Sequence, residues 1–241
     1  MTTDPILVGE NIGHEYGDLS VLEGVDIAVE PGAVTAIVGP NGTGKTTLLR
    51  ILLGHLSPTS GEVRYTGPEV DRPIGYLPQQ PSFRPQFTAA ETIAFYAALL
   101  DEPAETEAAL RRVGLADAAD RRVEALSGGM RRLLGIAQSL VGEPPVAVFD
   151  EPASGLDPSM AANAFEILAE QAAEGTAVLV SSHDLSLVDR SADRVVFLNR
   201  GSVIVSGSPA DLAESTNSET LWEVYESVIR EPAARREVDA Q

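Results

Sequence analysis

One stretch of the sequence constrains the fold more than any other: a glycine-rich loop that joins an apolar strand to a helix. The strand pattern AVTAIV at 33–38 leads into the loop, and the helical pattern TTLLRILLGHL at 46–56 leaves it. The loop matches G-x-x-x-x-G-K-T and consists of Gly39, Pro40, Asn41, Gly42, Thr43, Gly44, Lys45, Thr46 and Thr47. Glycines let backbone N–H groups surround a phosphate, and the following helix adds the positive end of its dipole. The sequence therefore predicts a nucleoside triphosphate site, in which Lys45 contacts the β- and γ-phosphates and Thr46 binds Mg²⁺.

Strand and helix patterns alternate through most of the chain. Segment 4–38 has strand patterns broken by turns, and short apolar, β-branched runs follow at 146–149, 177–180 and 194–198. Such runs are typical of strands that are buried on both faces of a parallel sheet. Because a helical pattern at 160–173 lies between two of them, the alternation predicts a doubly wound α/β core.

Two parts of the chain depart from this alternation. Residues 88–143 are alanine-rich and helical in pattern, so we interpret them as an inserted helical subdomain. We therefore expect one domain over 1–241, with an α/β core in 1–87 and 144–208 and a C-terminal helix and tail in 209–241. The last helix has an apolar face that should pack on the core or on a second copy, formed by Leu221, Trp222, Tyr225, Val228 and Ile229.

A pair of carboxylates follows one of the apolar runs. In VAVFDE, Asp150 and Glu151 come directly after the predicted strand at 146–149. Ligands of open α/β sheets bind at the carboxyl ends of the strands, where these side chains would emerge. Asp150 suits a Mg²⁺ site, and Glu151 suits a general base that polarises water. An ordinary acidic turn before Pro152 would give the same letters, but the phosphate loop makes the functional interpretation the better one.

Composition excludes several classes of protein. The net charge is −19, from 36 acidic and 17 basic residues, and such a surface repels nucleic acid, so we expect no nucleic-acid partner. The chain contains no cysteine, which removes disulfides and thiolate metal sites. No stretch approaches the ~18 to 20 apolar residues of a membrane-spanning helix, and the first residues do not resemble a signal peptide. We therefore expect a cytoplasmic protein.

A further motif indicates which family of phosphate-loop proteins this chain is similar to. The segment LSGGM at 126–130 resembles the LSGGQ signature of ABC-type ATPases, with Met130 in the position usually held by Gln. Other elements resemble those of the family in the same order along the chain: the adenine-stacking aromatic (Tyr16), the Q-loop glutamine (Gln79), the D-loop (Ser154 to Asp157) and the switch histidine (His183).

The resemblance implies a P-loop NTPase (RecA-like) core with an antiparallel β subdomain and an inserted α-helical subdomain. It also implies that two copies pack head to tail, so that Ser127, Gly128 and Gly129 complete the ATP site of the partner copy. By the same resemblance His183 senses the γ-phosphate, and Gln79 joins Thr46 and Asp150 around Mg²⁺.

Some individual assignments have alternatives. Tyr16 could instead be an ordinary strand aromatic, and Gln79 has the neighbour Gln80, although the position directly after Tyr-Leu-Pro favours Gln79. For the other two histidines, His14 and His55, we expect solvated or capping roles rather than ligation.

The finer resemblance is to ATPases of ABC-2-type exporters and to the copper-linked ATPase that helps nitrous oxide reductase to mature. It is carried by phrases such as GYLPQQPSFRPQF and LSGGMRRLLGIAQSLVGEP, and it does not separate the two systems. Any copper specificity would lie in partners, because the chain has three scattered histidines, three methionines and no cysteine.

The partner implied by this resemblance is a separate transmembrane permease, which would hold the chain on the inner face of the cell membrane. Phe83 and Phe87, which we expect to be exposed, either receive a helix of that permease or pack within the insertion. The alternative function is that of a soluble ABC ATPase in an assembly system, such as iron–sulfur cluster assembly. A catalytically silent subunit is disfavoured by the complete set of Asp150, Glu151 and His183.

The basic residues have an unusual distribution. Sixteen of the 17 are arginine, and Lys45 is the one lysine. With the acidic surface, this resembles proteins of salt-loving archaea, whose salt-rich cytoplasm screens the self-repulsion of the chain. A GC-rich genome that favours arginine codons is the alternative explanation.

The salt hypothesis predicts that the protein is more stable in molar KCl than in dilute buffer, because screening weakens repulsion among its surface carboxylates. Thermal unfolding followed by circular dichroism tests it, and a gain of only ~1 kcal/mol would raise the midpoint by about 2–4 °C. Equal midpoints in the two buffers would leave the codon explanation.

Overall fold

The computed structural model describes residues 4–100 and 105–228. Its strands are β1 (Leu7–Tyr16), β2 (Leu19–Val29), β3 (Val34–Val38), β4 (Ser60–Tyr65), β5 (Ile74–Leu77), β6 (Val146–Asp150), β7 (Ala177–Ser182), β8 (Arg194–Asn199) and β9 (Ser202–Gly207). Its helices are α1 (Lys45–Leu52), α2 (Ala89–Ala98), α3 (Thr106–Arg112), α4 (Gly128–Ser139), α5 (Pro158–Ala173), α6 (Leu185–Ser191) and α7 (Pro209–Thr216), followed by a helical stretch, α8, over 221–228. Within these ranges no helix has the length and apolar character to cross a bilayer.

The central sheet has the order β5-β6-β7-β3-β8-β9, parallel except for β9, which runs antiparallel to β8. Alternate residues of its strands enter two different cores: in β6, Ala147 and Phe149 join one, and Val146 and Val148 join the other. Burial on both faces explains why these strands are continuous apolar runs rather than alternating ones. The predicted α/β core is confirmed.

A second, antiparallel sheet, with the order β2-β1-β4, covers one face of the first. Helix α1 lies in the core that β1 and β2 share with the central sheet, where Leu48 and Leu49 are fully buried beside Ile12 and Val25. The phosphate loop at the start of α1 is therefore anchored between the two sheets.

The helical subdomain packs on the other face of the central sheet, in the core that contains Ala147 and Phe149. Helix α2 begins with a capping box, in which the Thr88 hydroxyl accepts from the Glu91 amide and the Glu91 carboxylate accepts from the Thr88 amide. Two 3-10 turns, at Ala116–Ala118 and Val123–Ala125, lead into α4. Helix α4 packs on β5, where Leu77 and Leu134 are buried in one cluster, so the subdomain is attached next to the carboxyl edge of the sheet.

Some elements lack the pattern that would predict them. Strand β4 is half to fully exposed, β9 is largely half-buried, and β5 has only four residues, so none has a long apolar run. In α8 the predicted face packs only in part on the core of this chain: Leu221 is buried, as is Val224 beside it, whereas Trp222 is 58% exposed. Tyr225 packs beside Phe197, with ring centroids 5.8 Å apart, and Ile229 lies outside the described residues.

Candidate nucleotide-binding and catalytic site

The phosphate loop has a backbone that only glycine fits at two positions. Gly39 leaves β3 so close to β8 that a Cβ atom there would lie 2.1 Å from the carbonyl oxygen of Leu198. Gly44 precedes α1 with φ of 101°, in the left-handed region. The chain can therefore turn sharply from strand to helix, with the amides of the loop gathered at the N-terminus of α1.

Lys45 is almost completely buried, with 6% of its surface exposed. Its ammonium donates to the carbonyl oxygens of Gly39 at 2.7 Å and Pro40 at 3.2 Å, and it lies 3.6 Å from Glu151 Oε1. A buried charge needs such partners, since desolvation alone would make it very costly. The ammonium is thus held at the meeting point of the phosphate loop and the end of β6.

A cavity of about 370 Å³ lies beside this ammonium. It is lined by Tyr16, Val21, Asn41, Gly42, Gly44, Lys45, Thr46, Thr47, Gln79 and Glu151. The structure thus brings together most of the residues that the sequence indicates for ATP, and it includes Gln79 rather than Gln80. Gly39, Pro40 and Thr43 shape the loop from behind, with the Thr43 hydroxyl donating to the carbonyl of Pro40 at 2.9 Å.

The residues indicated for Mg²⁺ offer oxygen ligands only. Thr46 Oγ1 donates to Asp150 Oδ2 at 3.0 Å, and the other oxygen of Asp150 accepts from the Ser181 hydroxyl at 2.6 Å. The described part of the chain has no group of three or more acidic, histidine or cysteine side chains that would hold a metal by itself. A hydroxyl and a carboxylate beside a phosphate loop nevertheless fit Mg²⁺, because this ion typically takes few ligands from the protein and the rest from substrate phosphates and water.

Glu151 has an unusual backbone. Its φ of 52° lies in the left-handed region, and its amide donates to both the carbonyl and the hydroxyl oxygen of Ser181, at 3.2 and 2.9 Å. The bend directs its carboxylate into the cavity, where Oε2 accepts from Nδ1 of His183 at 2.7 Å. Because the other carboxylate oxygen faces Lys45, Glu151 lies between one ammonium and one imidazole.

The loop after β7 presents His183 to this carboxylate. The next residue, Asp184, caps α6 by accepting from the amides of Ser186 and Leu187. Partial burial alone would raise the pKa of Asp184, but hydrogen bonds from the Ser186 hydroxyl and from these amides, together with His183, lower it below its usual value. Asp184 is therefore ionised at neutral pH and fixes the start of α6 next to His183.

Two residues at this site were missed by sequence reasoning. In the sequence, Ser181 looks like the end of an apolar strand. In the structure its hydroxyl donates to the Asp150 carboxylate and accepts from the Glu151 amide. In the sequence, Arg132 looks like a surface arginine of an amphipathic helix. In the structure it is 4% exposed and donates to the main-chain carbonyls of Asp150 and Glu151. A polar residue within a buried run is the only sequence signal for Ser181, and we find none for Arg132.

The signature residues lie elsewhere on the chain and do not line the cavity. Ser127 caps α4, its hydroxyl accepting from the Met130 amide at 3.1 Å, and both Ser127 and Gly128 are exposed. Gly129 is closely packed, because a Cβ atom there would lie 2.6 Å from Cε of Met160. Asp157 caps α5, accepting from the amides of Ser159 and Met160 at 3.0 Å.

Near Tyr16 the structure corrects one expectation. Tyr16 is 46% exposed at the cavity rim, as a stacking surface requires. His14 is not solvated, as we expected, but 7% exposed, and its ring packs edge-to-face on Tyr16 with centroids 4.6 Å apart. Neither ring nitrogen of His14 has a hydrogen-bond partner among the described residues. His55 is exposed, in agreement with the expected solvated role.

Comparison with known proteins shows which proteins this chain is similar to. A zinc import ATP-binding protein, ZnuC, of Paracoccus denitrificans is 41% identical over 210 residues, which cover 85% of this chain and 80% of that protein. The Nod factor export ATP-binding protein I of Ralstonia nicotianae is 34% identical over 233 residues, which cover 92% of this chain and 73% of the relative.

Solved structures with the same fold include an ATP-binding subunit of an ABC transporter, with a TM-score of 0.82 and 28% identity, covering 93% of this chain and 99% of that one. Another is the dimeric ATP-binding cassette MJ0796 in a post-hydrolysis state with ADP and Pi, with a TM-score of 0.74 and 25% identity, covering 84% of this chain and 98% of that one. The sequence model of the ABC transporter family matches residues 22–154. With its phosphate loop, its paired carboxylates and these relatives, this chain belongs to the ABC transporter family, as an ATP-binding domain.

Proposed function

We propose that this chain binds ATP with Mg²⁺ in the cavity at the phosphate loop and hydrolyses it to drive a separate membrane permease. The observation that carries the proposal is the position of the Glu151 carboxylate, 2.7 Å from His183 and 3.6 Å from Lys45 beside that loop. A carboxylate held between an ammonium and an imidazole, beside the phosphate loop, is suited to act as the general base in phosphoryl transfer to water.

In this proposal the chain's own residues bind and orient ATP. Tyr16 stacks on the adenine, the amides of the loop bind the phosphates, and Lys45 exchanges its carbonyl partners for the β- and γ-phosphates. Thr46, Asp150 and Gln79 would hold Mg²⁺, whose positive charge, when it is bound, neutralises the phosphate oxygens.

Glu151 then accepts a proton from the attacking water as the water oxygen bonds to the γ-phosphorus. The bond from that phosphorus to the β–γ bridging oxygen breaks, so ADP and phosphate are the products. Lys45 stabilises the charge that develops on the phosphoryl group, and His183 keeps the Glu151 carboxylate oriented through its Nδ1–H donor.

The proposal includes a head-to-tail dimer with two ATP molecules at its interface. Support comes from the exposed Ser127 and Gly128, which lie at the N-terminus of α4 and away from the cavity of their own chain. The amides at a helix N-terminus suit an anion, here the γ-phosphate bound to the other copy. The dimeric relative with ADP and Pi supports the same arrangement, and Asp157 would lie at this interface.

The permease would dock on the helical subdomain and hold the chain at the inner face of the membrane. Phe83 and Phe87 are half-buried rather than exposed, and Phe87 packs edge-to-face on Phe95. The guanidinium of Arg84 stacks over the rings of Phe87 and Phe95, at 5.0 and 4.1 Å from the centroids. Packing within the insertion therefore accounts for most of this aromatic surface. A partner helix would contact the exposed Arg84 and the parts of Phe83 and Phe87 that remain accessible.

For the transported cargo we propose export by an ABC-2-type system or the copper-linked maturation system. The Nod factor export relative, which covers 92% of this chain, supports an export system, whereas the zinc import relative represents the opposite direction. A soluble assembly ATPase remains the alternative function, and identifying the partner distinguishes it.

Replacing Lys45 with Ala should weaken ATP binding by about 10- to 100-fold. A charged hydrogen bond contributes about 1.5–3 kcal/mol, and the substitution leaves Glu151 without its cationic neighbour. Titration with a fluorescent ATP analogue measures the affinity. The control is Arg50→Ala, which removes an exposed basic residue of the same helix; unchanged affinity in Lys45→Ala would remove this lysine from the phosphate site.

Replacing Glu151 with Gln should preserve ATP binding while lowering hydrolysis by ~100-fold or more, since the amide cannot accept the proton of water. ATP should then hold the variant as a dimer, which size-exclusion chromatography with ATP and Mg²⁺ in high salt detects. Glu166→Gln, an exposed glutamate of α5, is the matched control. Normal turnover in Glu151→Gln would assign the base to another residue.

The same variant tests the partner. Tagged Glu151→Gln protein, added with ATP and Mg²⁺ in high salt to detergent-solubilised cells of its source, should capture a protein with several membrane spans, identified by mass spectrometry. Capture of soluble proteins alone would replace transport with the assembly function.

A further inference from the structure

We infer that Arg132 is a positioning residue for ATP hydrolysis, which fixes Glu151 and Gln79 through their main chains and links them to the signature end of α4. This inference rests on the proposed function and adds a residue to it. Arg132 does not line the cavity. Among the described residues it forms no ion pair with the carboxylates of Asp150 or Glu151.

All five N–H donors of the Arg132 guanidinium are used. Nε donates to the carbonyl of Pro152 at 3.1 Å, and Nη1 donates to those of Pro78 at 3.0 Å and Gln79 at 2.6 Å. Nη2 donates to the carbonyls of Asp150, at 2.6 Å, and Glu151. Every acceptor is a main-chain oxygen, and the five come from two segments, one after β5 and one at the end of β6.

These carbonyls need a donor of this kind. They lie where two neighbouring strands end, so the strand ladder no longer supplies partners. The three at the end of β6 belong to buried residues, and a buried carbonyl without a partner is costly. The planar guanidinium presents five donors in a fixed fork, which one lysine or one amide cannot reproduce. Arg132 therefore sets the distance between the Q-loop segment and the end of β6.

Glu151 has the strongest need for such support. A non-glycine residue in the left-handed region persists only where its surroundings hold it there. Its amide is held by Ser181 and its carbonyl by Arg132, so the peptide groups on both sides of the strained residue are fixed. Because that strain directs the carboxylate toward Lys45 and His183, losing one anchor should let the carboxylate move.

The Arg132 guanidinium binds main-chain carbonyl groups rather than the carboxylates of Asp150 and Glu151. Burial lowers the pKa of Arg132, whereas the nearby Asp150 and Glu151 raise it, and arginine remains protonated under such opposing influences. Since carbonyls take all its donors, the side chains of Asp150 and Glu151 remain available to Thr46, Lys45 and His183.

Helix α4 connects this anchor to the proposed interface. Ser127 caps the helix, and Arg132 lies about one and a half turns further on, roughly 7 Å along the axis. Contact of the signature residues with the partner's ATP would therefore be transmitted by a rigid helix to the carbonyls of Gln79 and Glu151. Arg72 holds the other end of α4, with Nη1 donating to the carbonyls of Gln138 at 3.2 Å and Val141 at 2.8 Å.

Arg72 supplies a control, since it is a half-buried arginine that donates to main-chain carbonyls at the C-terminal end of α4 rather than to those at the ends of β5 and β6. We compare Arg132→Lys with Arg72→Lys in ATPase kinetics, ATP affinity and thermal midpoint, using the full chain checked for folding by circular dichroism. Arg132→Lys should lower kcat by tenfold or more, since a misplacement of about 1 Å costs up to about 100-fold. Its ATP affinity should stay within about threefold of wild type, because the phosphate loop is untouched. Arg72→Lys should lower the midpoint while keeping kcat.

A normal kcat in Arg132→Lys would overturn the inference, as would an equal loss of kcat in both variants, which would indicate a general structural role. If Arg132→Lys does not fold, Arg132→Gln, whose amide donates two hydrogen bonds, replaces it with the same expected split between kcat and affinity. A wild-type chain that binds ATP without hydrolysing it would overturn the proposed function and this inference together, whereas hydrolysis by wild type with normal Arg132→Lys kinetics overturns the inference alone.

Discussion

The parallel register of β3, β6 and β7 is the constraint on which the site depends. Val38 pairs with Ser182, and Asp150 pairs with Ser181, so the three strands end at nearly the same level. The phosphate loop, the carboxylates and the loop that carries His183 therefore leave the sheet side by side, although more than 100 residues separate the first from the second. Burial of both faces of the sheet fixes this register, because a slip of one residue would exchange the residues of its two cores.

Because the strands end together, the charged groups at that edge are buried side by side, and each needs a partner that offsets its desolvation cost. Lys45, Asp150, Glu151 and Arg132 are all buried, and each meets an opposite charge, a hydroxyl or a set of carbonyls. An unpaired charge at such a depth would cost several kcal/mol, so removing one group disturbs the others.

Sequence reasoning located the elements whose structure is local and missed features that depend on long-range packing. The phosphate loop and the Asp150–Glu151 pair are recognisable because neighbouring residues carry both the structure and the ligand groups. Strands β4 and β9 are only partly buried, since they lie at sheet edges, and so lack an apolar run. The burial of His14 arises from packing between β1 and its neighbours, which no local pattern indicates.

Arg132 shows why such failures matter for function. Its sequence neighbours are those of an amphipathic helix, and only the folded chain reveals that its donors meet the ends of β5 and β6. A residue of this kind is invisible to motif reasoning because it binds main-chain atoms, whose positions depend on the whole fold. In the proposed dimer it would also give a physical reason for coupling assembly to hydrolysis, because the helix whose N-terminus would meet the partner's phosphate is the same helix that holds the backbone of the proposed base. Movement at one end of α4 then has to change the geometry at Glu151, unless the helix bends, and its hydrogen bonds through 128–139 oppose bending.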